Sequence, residues 1–126
     1  MNVLVIDDNE ADQFLSEYAI LQNGADITVN KAYDGEEALE FLKTCEQLPS
    51  ILFLDLNMPG MNGFDFLEAY QPHFNDCSSS IVVLTSSIHD DDYQKCIAYP
   101  QVKQVLTKPL GLEAAADCIK SYQQIH

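Results

Sequence analysis

The sequence predicts an α/β domain, a five-stranded parallel sheet with helices on both faces. Two observations carry this reading. Uninterrupted apolar runs (Val3-Leu4-Val5-Ile6, Ile51-Leu52-Phe53-Leu54 and Ile81-Val82-Val83-Leu84) have the length and residue types of strands buried on both faces. Between them lie amphipathic stretches of helical period, the alternation expected of strand-helix-strand units joined by right-handed crossovers.

Taken in order, the first run is followed by a helix with Asn9 as its N-cap. Phe14, Tyr18 and Leu21 recur along it at helical spacing with Leu15 beside them, and Asn23-Gly24 ends it. Residues Asp26 to Asn30 alternate weakly and read as a short edge strand. Asp34-Gly35 is a turn before a helix carrying Ala38, Leu39, Leu42 and Cys45, which Pro49 breaks ahead of the second long run. Asn62-Gly63 opens a third helix with Phe64, Leu67, Tyr70 and Phe74 on one face, a stripe that reads as core. A polar loop over 75–80 leads into the third long run. A fourth helix starts near Asp90 and stops before Pro100, with Tyr93, Cys96 and Ile97 as its apolar positions. The short run Val105-Leu106 is the last strand, and Leu112, Ala115, Ala116 and Ile119 mark a final helix after Gly111.

At 126 residues the chain fits one compact domain. It is 47% hydrophobic, which excludes a disordered chain. Twenty acidic residues against six lysines and no arginine give a formal charge of −14. That balance argues against nucleic acid and against an anionic membrane surface as partners, since both select basic faces. Cys45, Cys77, Cys96 and Cys118 form no C-x-x-C pair, so neither a zinc knuckle nor a redox motif is indicated, and they read as small buried hydrophobes. With no signal sequence and no long apolar segment, a cytoplasmic location is expected.

The chemistry lies at the ends of the runs. Asp7 and Asp8 follow the first, Asp55 the second, Thr85 the third and Lys108 the last. In an open parallel sheet, ligands sit outside the carboxyl ends of the strands. Three carboxylates gathered there repel one another unless a carboxyl takes up a proton or a cation neutralises them. Oxygen-only ligands select a hard ion, magnesium first, which leaves coordination positions for phosphate oxygens. Lys108 adds an ammonium and Thr85 a hydroxyl, both suited to a phosphoryl group, and Asp55 sits centrally as the candidate nucleophile. The segment from Asp55 to Gly60 begins like a calcium-binding EF-hand loop. It has Pro59 at the fifth place and Phe66 at the twelfth, and a strand precedes it. His89-Asp90-Asp91-Asp92 reads as a solvated helix N-terminus with acids complementing the macrodipole.

In order and spacing, the acidic pair, the stretch Asp55-Leu56-Asn57-Met58-Pro59-Gly60-Met61-Asn62-Gly63, the helix start Asp34-Gly35-Glu36-Glu37-Ala38-Leu39, Thr85 and Lys108-Pro109 resemble the receiver domain of two-component response regulators, similar to the single-domain chemotaxis type. The resemblance covers essentially the whole chain. It implies a flavodoxin-like doubly wound fold with strand order 2-1-3-4-5, and a receiver domain over 1–126 without an effector domain. It further implies that Asp55 accepts a phosphoryl group from a phosphohistidine, and that Asp8 binds Mg2+ directly and Asp7 through water. Asp55 and the backbone carbonyl of Asn57 would complete the metal ligands. Lys108 would contact the phosphoryl group with a cis bond to Pro109, and Thr85 would swing toward it. No other cofactor is implied. The expected partners are a sensor histidine kinase or histidine phosphotransfer protein and an unidentified downstream protein, with the chain a monomer or weak homodimer. Asn57 and Ser87 occupy positions that tune loss of the phosphoryl group.

One departure stands out. Receivers carry Tyr or Phe three residues before the lysine, and this chain has Val105 there. Valine cannot make the ring flip of an aromatic residue, so the readout differs in form or degree. The resemblance itself implies a phosphoacceptor domain and not an enzyme acting on other molecules, one that catalyses only its own phosphorylation and slow dephosphorylation. Two alternatives stay open: a receiver used purely as a binding module, and a phosphohydrolase with an aspartyl intermediate. Against the latter, Asn57 stands where a haloacid-dehalogenase-type signature has its second aspartate.

Overall fold

The computed structural model describes residues 1–74, 79–86 and 89–125. Among these, five strands alternate with five helices: β1 (Asn2–Ile6), α1 (Glu10–Leu21), β2 (Thr28–Ala32), α2 (Gly35–Thr44), β3 (Ile51–Asp55), α3 (Gly63–Phe74), β4 (Ser80–Thr85), α4 (Asp90–Ile97), β5 (Val102–Thr107) and α5 (Leu112–Ile125). The strands form one sheet in the order β2-β1-β3-β4-β5, every neighbouring pair parallel. The expected fold class and strand order are thus present.

The two-residue period of the strands divides the core into two layers. Leu4, Ile6, Leu52, Leu54, Ile81 and Val83 face one side, where Leu39 and Leu42 of α2, Phe66, Leu67 and Tyr70 of α3 and Cys96 of α4 cover them. Val3, Val5, Ile51, Phe53, Val82 and Leu84 face the other side, against Ala19 and Ile20 of α1 and Ala115, Cys118 and Ile119 of α5. Strands β1, β3 and β4 are buried on both faces, which is why they are continuous apolar runs.

Several expectations need correction. On α1, the buried residues are Gln13, Ser16, Ala19 and Ile20, whereas Phe14, Leu15, Tyr18 and Leu21 are exposed. Small residues let the helix approach the sheet closely. The buried Gln13 is anchored by its amide nitrogen, whose two N–H groups are shared among the carbonyls of Val5, Asp7 and Ala32 at 2.9–3.1 Å. The edge strand β2 lies two residues later than expected, at Thr28–Ala32, with one fully buried side chain to mark it. Strand β5 starts at Val102, and an irregularity beside Ile81 and Val82 shifts its pairing with β4, which hid its first half from a run-based reading. Helix α2 ends at Thr44, with Cys45 as an extended C-cap, well ahead of Pro49.

Within α3, Leu67 and Tyr70 are buried as expected. Phe64 is half-buried beneath the Lys95 ammonium, and Phe66 fills the core instead. The side chains of His73 and Phe74, the segment 75–78 with Cys77, and Ser87 and His126 lie outside the described residues. No described helix is long and apolar enough to cross a membrane.

Candidate functional site

The carboxyl ends of β1, β3, β4 and β5 converge, and backbone hydrogen bonds fix their alignment. The Asp7 amide donates to the Ala32 carbonyl at 3.0 Å, Leu56 to Leu84 at 3.3 Å and Lys108 to Thr85 at 2.8 Å. Asp7, Asp8 and Asp55 are thereby brought together, with a carboxylate oxygen of each lying within 4.8 Å of the others. Asp7 and Asp55 are 1% and 3% exposed, while Asp8 faces solvent. This is the single acidic cluster of the kind among the described residues. The run His89 to Asp92 forms the N-terminus of α4 and joins no such cluster.

Lys108 reaches into the cluster from the β5–α5 connection, where its bond to Pro109 is cis. Its Nζ lies 2.7 Å from Asp7 Oδ2, 3.0 Å from Asp12 Oδ2 and 3.3 Å from Asp55 Oδ2. Asp12 was not singled out by the sequence. It lies one helical turn beyond Asp8 on α1, and its pairing with a lysine 96 positions away leaves no local signal. Gln13, which ties α1 to the ends of β1 and β2, was missed for the same reason.

The remaining carboxylate oxygens have short-range partners. The Asn9 amide donates to Asp7 Oδ1 at 2.9 Å and the Asn57 amide to Asp55 Oδ1 at 3.1 Å. The Asn57 side chain is exposed and its amide reaches Thr85 Oγ1 at 3.5 Å. Thr85 is buried at the end of β4. Asn9 also caps α1, its Oδ1 accepting from the Asp12 amide at 2.9 Å, so the α1 start and the acidic pair are held as one unit.

The loop after Asp55 is folded back tightly. Gly60 has φ of +72°, and the Gly63 amide donates to the Leu56 carbonyl at 3.0 Å. A Cβ at Gly63 would sit 2.7 Å from Leu56 Cα and 2.8 Å from the Asp55 carbonyl oxygen, so only glycine fits where α3 begins. Asn62 and Asp65 then cap α3 reciprocally, each backbone amide donating to the other's side chain.

The electrostatics follow from this packing. Burial pushes the Asp55 carboxyl up to about 6, against the opposing pull of the Asn57 amide and the Lys108 ammonium, and Asp7 adds to the rise. Burial alone would lower the Lys108 ammonium, but hydrogen bonds to Asp7 and Asp12 outweigh it and hold the group above its ordinary value. Three clustered carboxylates with a single lysine leave the pocket anionic. Their all-oxygen donor set fits a hard divalent cation.

A family model described as the response regulator receiver domain matches residues 3–120. The chain is 30% identical over 115 residues to the probable methanogenesis regulatory protein FilR2 of Methanothrix harundinacea, covering 88% of this chain and 74% of that one. It is 28% identical over 121 residues to a probable chemotaxis protein CheY of Rhizobium etli, covering 96% and 91%. Other relatives are longer, and in one the match spans 14% of the protein. A two-component response regulator of known structure from Cytophaga hutchinsonii superposes with a TM-score of 0.87 at 28% identity, covering 98% of this chain and 96% of that one. The chain belongs to the response regulator receiver domain family, of the CheY-like kind.

Proposed function

We propose that this chain is a phosphorylation switch in which Asp55 takes a phosphoryl group from the phosphohistidine of a sensor kinase or phosphotransfer protein. One observation carries the reading: a buried carboxylate at the end of the central strand, with a lysine ammonium 3.3 Å away and two further carboxylates beside it. An Asp55 oxygen forms a bond to phosphorus as the phosphorus–nitrogen bond of the donor breaks. The imidazole leaves with that electron pair, and because its other ring nitrogen carries a proton the departing ring is neutral. Lys108 neutralises phosphoryl oxygens, and the Thr85 hydroxyl, at the end of the adjacent strand, donates to one of them. Asp8, Asp55 and the Asn57 carbonyl are the proposed direct ligands of Mg2+, with Asp7 reaching the ion through water. When bound, that ion supplies the charge that lets an anionic donor approach an anionic pocket. The exposed stripe Phe14, Leu15 and Tyr18, on the helix that follows the acidic pair, offers an apolar contact for the donor protein.

Output passes through protein contacts. Val105 pairs with Val83 in the sheet and packs half-buried against the α4 side of the core. A valine there cannot report by turning an aromatic ring in and out, so any movement of Thr85 is read out in another form, with the surface of α4, β5 and α5 as the proposed output face.

Incubation with acetyl phosphate and magnesium tests the proposal. The expected product carries one phosphoryl group, mapped by mass spectrometry to Asp55 and lost with EDTA or in Asp55→Asn. An unmodified wild-type protein would refute it.

A further inference from the structure

We infer that Asp12 is a resident competitor for Lys108, a positioning residue whose carboxylate holds the place that a phosphoryl oxygen must take. The inference rests on the phosphoacceptor reading above and extends it to a residue outside the acidic pair. The Lys108 Nζ lies within 3.3 Å of three carboxylate oxygens and donates a hydrogen bond to Asp12 Oδ2, so an arriving phosphoryl oxygen competes with a resident carboxylate for the ammonium. One partner has to yield.

The three partners differ in how firmly they are held. Asp7 is 1% exposed and its second oxygen accepts from the Asn9 amide. Asp55 is 3% exposed, its second oxygen accepts from the Asn57 amide, and it is the acceptor itself. Asp12 is 31% exposed, and among the described residues its side chain accepts one hydrogen bond, from Lys108. It can turn to water at small cost, because a partly exposed ion pair contributes little. As an Asp55 oxygen bonds to phosphorus and the donor's bond breaks, a phosphoryl oxygen takes the N–H that Asp12 gives up. Asp12 thereby favours the unphosphorylated state and sets how readily the pocket accepts and keeps its load.

The test is titration of the magnesium-loaded chain with beryllofluoride, a phosphoryl mimic, read by fluorine NMR, which reports the bound anion. Asp12→Asn binds it roughly 3–10-fold more tightly than wild type, the range expected for loss of one partly exposed charge pair. Asp12→Glu restores wild-type affinity. Glu10→Gln removes a charge from the same helix turn without touching Lys108 and leaves the affinity unchanged. Magnesium affinity of Asp12→Asn, measured without beryllofluoride, stays within about twofold of wild type, since a charge pair of this exposure contributes little at a distance. Equal or weaker beryllofluoride binding by Asp12→Asn overturns the inference, as does equal tightening by Glu10→Gln, which would mark a bulk charge effect. If wild type itself takes no beryllofluoride in magnesium, the phosphoacceptor reading falls, and this inference with it.

Discussion

At Asp55 the protein sets burial against ionisation. The folded carboxyl sits at about 6 and the ordinary value is 3.8. The folded state therefore favours the protonated form. Its contribution to stability is fully present below the unfolded pKa and is lost as pH rises through about 6. In metal-free protein at pH 7.5 the ionised group is then a liability of ~2–3 kcal/mol. Asp55→Asn removes it, so in EDTA the variant should unfold at higher urea than wild type at pH 7.5, with the gap closing toward pH 4. A gap that widens on acidification would contradict this account. Thiols give a second residue-scale prediction. Burial pushes both Cys96 and Cys118 up to about 11, with nearby Asp92 and Asp117 adding to it, whereas Cys45 has solvent access. At pH 8, iodoacetamide should label Cys96 and Cys118 more slowly than the solvent-accessible Cys45, because their burial disfavours the thiolate, the reacting form. Their labelling should accelerate as pH approaches 11. Peptide mapping of a time course checks both statements.

Among the elements, the turn into α3 has the least room. At Gly63 a methyl group meets Leu56 Cα and the Asp55 carbonyl, both backbone, so neither can move aside without carrying the acceptor with it. Gly63→Ala should cost about 1–3 kcal/mol, the range for overpacking, and should weaken magnesium binding. Gly35→Ala is the contrast, since the atoms in its way belong to the flexible Met61 side chain and the pocket is untouched. Urea titrations with and without magnesium separate the two. On α1, Phe14→Ala with Tyr18→Ala should slow transfer from a phosphohistidine protein while leaving acetyl phosphate labelling near wild type. The same element shows where sequence reading succeeds and where it stops. The runs of β1, β3 and β4 were legible because burial on both faces admits apolar residues alone, and the residues just after them, Asp7, Asp8 and Asp55, were legible with them. The orientation of α1 was not. Its sheet-facing side contains Gln13 and Ser16, and its solvent-facing side contains Phe14 and Tyr18, so apolar periodicity pointed the wrong way. Strand β2 is an edge with one fully buried residue, and Asp12 enters the site through a contact 96 residues distant in sequence. Neither leaves a local trace.

For the molecule as a whole, a formal charge of −14 on 126 residues sets the electrostatic background against which the pocket works. Dispersed carboxylates repel one another, and that repulsion is screened by any salt. The pocket differs, because its carboxylates are held within 4.8 Å and two of them are nearly buried, out of reach of diffuse screening. Sodium chloride should therefore raise the urea midpoint gradually and alike in wild type and in Asp8→Asn. Magnesium chloride at matched ionic strength should raise it further in wild type alone. A ligand that binds only the folded state adds about 1.4 kcal/mol at tenfold its dissociation constant. Asp8 suits this test because it faces solvent and makes no ion pair with Lys108, so its amide variant removes a proposed ligand without releasing the lysine. An equal magnesium increment in both proteins would assign the effect to general screening and remove the support that the acidic cluster lends to a metal-dependent switch.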